Sequence, residues 1–242
     1  MANRDENERE LFGTVSRGLK RWLGRAREAV MAPWLRFRAQ PDPTAIYGTQ
    51  DVWNAEVETI LTHLGRISMA AWSQATDVPP VSRHAFVMAQ LAQTENLLVR
   101  VPDETYNLIF AAITEVINGG GDNEAVANRV DDVLTWAGSE NWTNRARVIA
   151  ITETTRAMNA GVLGAGTEQA RVTGRILRKE WRTEEDDRVR PSHRAVNGEV
   201  RDFFMPFYVG GWPLMYPGDP AGPPEEVIGC RCDLLITNEE GR

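Results

Sequence analysis

Residues 139–182 read SENWTNRARVIAITETTRAMNAGVLGAGTEQARVTGRILRKEWR, and two textures meet inside them. From about Ser139 to Val172, the residues Val148, Ile151, Thr155, Met158 and Val162 recur at spacings of 3 and 4. That period keeps side chains on one face of an α-helix. The pattern stops near Gly174. Arg175–Arg182 that follows is short, carries apolar and aromatic residues, and predicts a β-strand despite imperfect alternation. Downstream come a turn-rich stretch, Thr183–Gly198, and a short aromatic run, Phe203–Val209. A glycine- and proline-rich loop, Gly210–Pro224, then leads to a second strand candidate, Glu226–Ile236. A long helix running into short strands gives an α+β fold.

Upstream the texture is helical. Two prolines and a glycine break the chain at Ala39–Thr49. Val52, Val57, Ile60, Leu61, Leu64, Ile67 and Ala71 then predict a helix over 50–75. Pro79 and Pro80 end it, and Ser82 reads as the cap of the next helix, to about Val99. Pro102-Asp103-Glu104 opens another, with acids placed in the first turn. Its expected buried stripe is Leu108, Ile109, Ala112, Ile113 and Val116, and Asn118–Gly121 closes it. Asp122 or Asn123 caps a further helix to about Ala137, ended by Gly138. Three consecutive segments are expected: a basic amphipathic arm (1–40), a helical region (41–140) and a small C-terminal α+β module (141–242).

Of the 242 residues, 42% are hydrophobic and 25% charged, a globular composition that excludes wholesale disorder. No apolar run approaches the roughly 20 residues that span a bilayer. No secretory signal is visible, so a reducing, cytosol-like compartment is expected. The net charge is −7, unevenly placed. Between Ser16 and Gln40 lie Arg17, Lys20, Arg21, Arg25, Arg27, Arg36 and Arg38 against the single acid Glu28, which makes that segment +6 and leaves −13 elsewhere. Leu19, Trp22, Leu23, Ala26, Val30 and Trp34 recur there at helical spacing. Such a helix suits partner docking, with Arg17, Lys20, Arg21, Trp22, Arg25 and Trp34 as the candidate contacts. Covering the body of its own protein is the alternative reading. Weak, salt-sensitive contact with DNA falls to the same arm, and a membrane role is not expected.

The chemistry-bearing residues gather in the last third. Residues i and i+2 of an extended chain point the same way, so Cys230 and Cys232 would face one side. His193 and Asp187 could approach that side and complete a structural zinc site, because zinc prefers tetrahedral nitrogen and sulfur ligation. Two reduced cysteines packed as small hydrophobes beside a hydrogen-bonded histidine are the other possibility. A disulfide between cysteines one residue apart would be strained. Glu153, Arg156 and Asn159, at i, i+3 and i+6, share a helix side and are expected to tie the helix to the loop of Asp187, Arg190 and His193 as a structural network. No catalytic or organic-cofactor residue is assigned, and His63 and His84 read as structural.

These blocks carry a family resemblance: Ile151–Gly161; Lys179-Glu180-Trp181; Asp187–Arg190 with Ser192-His193-Arg194; Val196-Asn197-Gly198; Leu214–Pro220; and Glu225–Cys232. In this order, over about Arg145 to Leu235, they resemble the phage head-morphogenesis domain of the Mu F-like minor head proteins. Gly229 stands where such proteins usually carry asparagine. The resemblance does not reach the helical N-terminal part. It implies a minor capsid protein of a tailed phage, present in several copies in the virion and assembled in the host cytoplasm. Its expected partners are the portal protein or the major capsid protein, and its expected role is support of head assembly and DNA packaging. It implies no enzymatic activity. The alternative is a small phage enzyme, nuclease or ADP-ribosyltransferase-like, built on the Asp187 and His193 region.

Overall fold

The computed structural model describes residues 3–78, 83–135 and 140–238. Helices α1 (Arg4–Phe37), α2 (Gln50–Ala75), α3 (Arg83–Leu98), α4 (Val101–Asn118), α5 (Asn123–Leu134) and α6 (Glu140–Thr173) come first, with a 3-10 turn at Pro43–Thr49. Then follow β1 (Leu177–Arg182), α7 (Pro191–Ala195), β2 (Val200–Asp202), β3 (Phe207–Val209), β4 (Trp212–Leu214), α8 (Pro224–Val227) and β5 (Asp233–Asn238). The fold is α+β. Ser82, Ala137, Gly138 and the His84 side chain lie outside the described residues.

Two compact units form, one from residues 13–60 and 95–147, the other from 1–12, 61–94 and 148–242. They do not follow the three consecutive segments read from the sequence, because α1, α2, α3 and α6 each give residues to both units.

In the first unit the basic helix is not a free arm. Val15, Leu19, Trp22, Leu23, Ala26 and Val30 of α1 are all buried. Trp22 is fully enclosed, its ring 5.5 Å from Trp53 and 6.5 Å from Trp142, and its indole N–H donates to Thr49 Oγ1 at 2.9 Å. Exposing six such side chains would cost on the order of 10 kcal/mol. The apolar stripe therefore covers this protein, and Trp22 is a core residue instead of a docking contact. Arg17 is exposed and donates to Thr14, Lys20 is exposed, Arg21 donates to Glu56 at 2.7 Å, and Arg25 pairs with Glu28 at 3.1 Å. Trp34 is half-buried beneath the Arg38 guanidinium, 4.9 Å from its ring. In α4 the buried face is Val101, Pro102, Thr105, Ile109, Ala112 and Ile113. Leu108, expected inside, is exposed, because it lies one residue off that stripe. Gly120 takes a positive φ of 76° where the chain turns from α4 into α5, and Asp122 caps α5 by accepting from Ala125 N at 2.9 Å.

In the second unit β1 is the middle strand of an antiparallel sheet ordered β2-β1-β5, with Trp181 opposite Leu234 and Lys179 opposite Ile236. A two-stranded hairpin, β3-β4, turns at Gly210-Gly211, both at positive φ as a tight two-residue loop requires. Trp181, Phe203, Phe207, Leu214, Tyr216 and Leu234 build the core with Ala160 and Leu163 of α6. Gly161 lies where a methyl group would strike the Ser68 carbonyl of α2, so only glycine permits that approach.

The closing strand differs from expectation. Residues 224–227 are helical, and Gly229 at φ +69° breaks the extended chain, so β5 begins at Asp233. Cys230 and Cys232 precede the strand.

Candidate metal centre

Helix α6 presents a buried polar face, Thr152, Thr155, Arg156 and Asn159, to the segment that enters β5. Thr152 Oγ1 accepts from Gly229 N at 2.9 Å, and Thr155 Oγ1 donates to the Cys230 carbonyl at 2.7 Å. Asn159 donates from Nδ2 to the Cys232 carbonyl at 2.9 Å and accepts at Oδ1 from Leu234 N at 2.8 Å. Positions 152, 155 and 159 lie on one side of the helix and serve peptide groups between Gly229 and Leu234. Hydroxyls and an amide thus do the work of a neighbouring strand.

The same face grips the loop before α8. Asn159 Nδ2 also donates to the Pro217 carbonyl at 3.0 Å, and Arg156 Nε to the Gly218 carbonyl at 3.2 Å. Arg156 Nη1 meets both oxygens of Glu153 at 2.8 and 2.9 Å, and Thr94 Oγ1 donates to Glu153 at 2.8 Å. Glu153, Arg156 and Asn159 therefore do form a buried network. It ties α6 to Pro217-Gly218 and to the closing strand, and not to the loop of Asp187 and Arg190 as the sequence reading expected. Arg190 instead donates to the Ile228 carbonyl, and Asp187 is exposed in a turn.

A third buried donor reaches that loop from β1. Lys179 is fully buried, its Nζ donating to the Met215 carbonyl at 2.8 Å and lying 5.2 Å from the Phe207 ring centre. Burial lowers its ammonium pKa from the usual 10.5 to about 8, the Asp219 carboxylate opposing the shift. Below pH 8 the group is charged in folded and unfolded chains alike, and burying that charge costs stability. Between about 8 and 10.5 only the unfolded chain holds the proton, so stability rises with pH. The displacement corresponds to about 3 kcal/mol. The wild-type stability minus that of Lys179→Met is expected to grow by about that amount from roughly pH 7 to pH 11 in urea unfolding. A pH-independent difference would contradict the assignment.

Beside this framework His193, Cys230 and Cys232 converge. The three ligand atoms lie within 4.8 Å of one another. His193 Nδ1 is 3.3 Å from Cys232 Sγ and 3.7 Å from Cys230 Sγ. Tetrahedral zinc with ordinary bond lengths separates a sulfur from a nitrogen by about 3.6 Å. The far nitrogen, Nε2, is 3.1 Å from Glu226 Oε2, and Ser192 Oγ donates to the same oxygen at 2.8 Å. The Trp181 ring meets the imidazole edge-on, with centres 5.4 Å apart. A carboxylate on Nε2 orients the ring so that Nδ1 faces the sulfurs, which is how histidine ligands are commonly held. The Cys230 thiol is held well below the usual thiol range, first by a hydrogen bond from Cys232 and then by the imidazole, while that bond and burial push Cys232 up. Such a buried donor set can hold a metal ion.

Asp187 is no part of this cluster. The carboxylate at the histidine is Glu226, supplied by α8. One residue before Asp187, Asp186 takes the structural role by accepting from Arg231 at 2.6 and 2.8 Å, and that guanidinium lowers its pKa. Arg4, at the start of α1, is buried against the same segment and donates to the carbonyls of Arg231 and Cys232 and to Asp233. Glu226, Arg4, Thr94 and Lys179 were given no site role by sequence reasoning. The one available signal was Pro223-Pro224-Glu225, which reads as a helix start and would have removed Glu226 from the strand.

The phage Mu protein F-like family model matches residues 107–235, more than half of the chain. The chain belongs to that family. The match begins inside α4, upstream of the blocks that carried the resemblance, so the family region includes part of the helical N-terminal portion. No curated protein and no solved structure matches the chain. Family membership makes this a phage head morphogenesis protein and associates it with the virion. Among the described residues no helix is long and apolar enough to cross a membrane.

Proposed function

We propose that the chain is a minor structural protein of the head of a tailed phage, associated with the portal or the inner capsid, supporting assembly and DNA packaging. The observation that carries this reading is the use made of the buried polar side chains. Thr152, Thr155, Arg156, Asn159 and Lys179 spend their donors and acceptors on backbone groups or buried partners of the same chain. Side chains committed in this way fix a shape and leave little to act on a substrate. The enzyme alternative drew on Asp187 and His193, which are exposed and buried respectively and do not make one site. The order thiol, imidazole, carboxylate would suit a nucleophile, yet Cys230 and Cys232 are only 1% and 3% exposed.

The docking surface is the outward face of α1, where Arg17, Lys20, Arg25, Arg36 and Arg38 are exposed together with Leu35 and Phe37. The same cations are the ones able to touch packaged DNA weakly. Deleting residues 1–40 would remove Trp22 and its neighbours from the core, so reversing charge is the cleaner test. With Arg17, Arg25, Arg36 and Arg38 all changed to glutamate, the folded chain is expected to lose co-purification with portal and capsid subunits expressed beside it. Undiminished recovery removes this face from the proposal. Heads lacking the chain yet packaging normally would remove the head role itself.

The metal centre is read as a structural zinc site, His193, Cys230 and Cys232 being the ligands. Zinc there clamps α7 to the segment that enters β5 and contributes to folding. Elemental analysis of the purified chain is expected to find one zinc per molecule, lost in the Cys230→Ser, Cys232→Ser double variant. Stoichiometric zinc that survives both changes would refute the ligand set.

A further inference from the structure

A tetrahedral ion needs four donors, and the described residues supply three. Three carboxylates come into consideration for the fourth, and one of them, Asp233, is paired with Arg4. Glu226 is engaged with His193 Nε2, across the ring from the atom that faces the sulfurs. A metal on the Nδ1 side therefore lies away from it. Glu184 borders the same small cleft as Cys230 and Cys232, but its carboxylate is turned to Arg4, with Nη1 to Oε1 at 3.2 Å, and remains 42% exposed.

The cleft is a void of about 20 Å³, bounded by Glu184, Arg190, His193, Cys230 and Cys232. A void of that size holds one water molecule. The three ligands are each no more than 3% exposed, so no side chain from another protein can reach between them. Arg188, Arg190 and Arg231 also line the cleft opposite Glu184, with Arg188 and Arg231 both paired with Asp186.

We infer that the fourth position on the metal is held by a solvent molecule exchangeable for a small anion, and not by a protein side chain. The inference rests on the metal reading above. It gives the centre an accessible coordination position, although its protein ligands are closed to larger molecules.

The test uses the full-length chain loaded with cobalt(II) in place of zinc. Absorption from thiolate to cobalt reports the sulfurs, and the visible ligand-field bands report the fourth ligand. Added azide is expected to shift the ligand-field bands reversibly, with the thiolate absorption retained. The Glu184→Gln variant is expected to start from the wild-type spectrum. Bands unmoved by saturating azide, or altered by Glu184→Gln before azide is added, would assign the fourth position to the protein and overturn the inference. Absence of any thiolate-to-cobalt absorption in the wild type would bring down the metal reading itself, and this inference with it.

Discussion

Asn159→Leu is expected to lower the stability of the chain by about 4 kcal/mol, read as a drop in the urea midpoint with an unchanged slope. The side chain makes three hydrogen bonds: to the carbonyls of Pro217 and Cys232, and from the amide of Leu234. Leucine is close in size, so packing is largely kept while the Pro217 carbonyl and the Leu234 amide lose their partner in a buried place and the Cys232 carbonyl keeps only Arg4. A buried polar group left without a partner costs roughly 1–3 kcal/mol. Asn159→Asp separates the two halves of the effect. It keeps the acceptor for Leu234 N but replaces the donor by an oxygen facing two carbonyl oxygens, so it is expected to be no milder than leucine. A loss below about 1 kcal/mol for Asn159→Leu would show that the loop and the closing segment hold themselves without α6.

Arg156→Met is expected to cost about 3–5 kcal/mol, and the double change Glu153→Leu, Arg156→Met distinctly less than the sum of the single changes. Glu153 and Arg156 are both nearly fully buried, their ion pair closed at 2.8 Å. Removing the cation alone strands a carboxylate that keeps only the Thr94 hydroxyl. Removing both leaves no unpaired charge, and the remaining cost is the Gly218 carbonyl and the lost hydroxyl bond. Purely additive single and double losses in the mutant cycle would mean that the pair is not coupled.

The helices were legible because their signals are local. Proline and acids at Pro102-Asp103-Glu104, the cap at Asp122 and the apolar period of α6 are each contained within a few turns. The charge of α1 was legible too, but its destination was not. An apolar stripe looks the same in sequence whether it covers its own core or a partner's, and only Trp53, Thr49 and Trp142 around Trp22 decide. The convergence of His193 with Cys230 and Cys232 was readable from residue type. Its carboxylate was not, since Glu226 sits in a turn of helix where the sequence reading placed a strand. Glu153, Arg156 and Asn159 do share a network, but Asp187 and Arg190, expected in it, do not join, and its destination was misplaced. Asn159 and Arg156 seek peptide carbonyls, which every residue carries, so nothing in the side-chain pattern marks Pro217, Gly218 or Cys232 as their targets.

The partners of Thr152, Thr155 and Asn159 on the closing segment lie 73 to 77 residues further along. During synthesis that helix leaves the ribosome well before the peptide groups that will satisfy it exist. Until the last residues emerge, its inward hydroxyls and amide have only water or a chaperone to bond with. A message truncated before Gly229 thus yields a chain whose longest C-terminal helix is left for the cell's proteases to find.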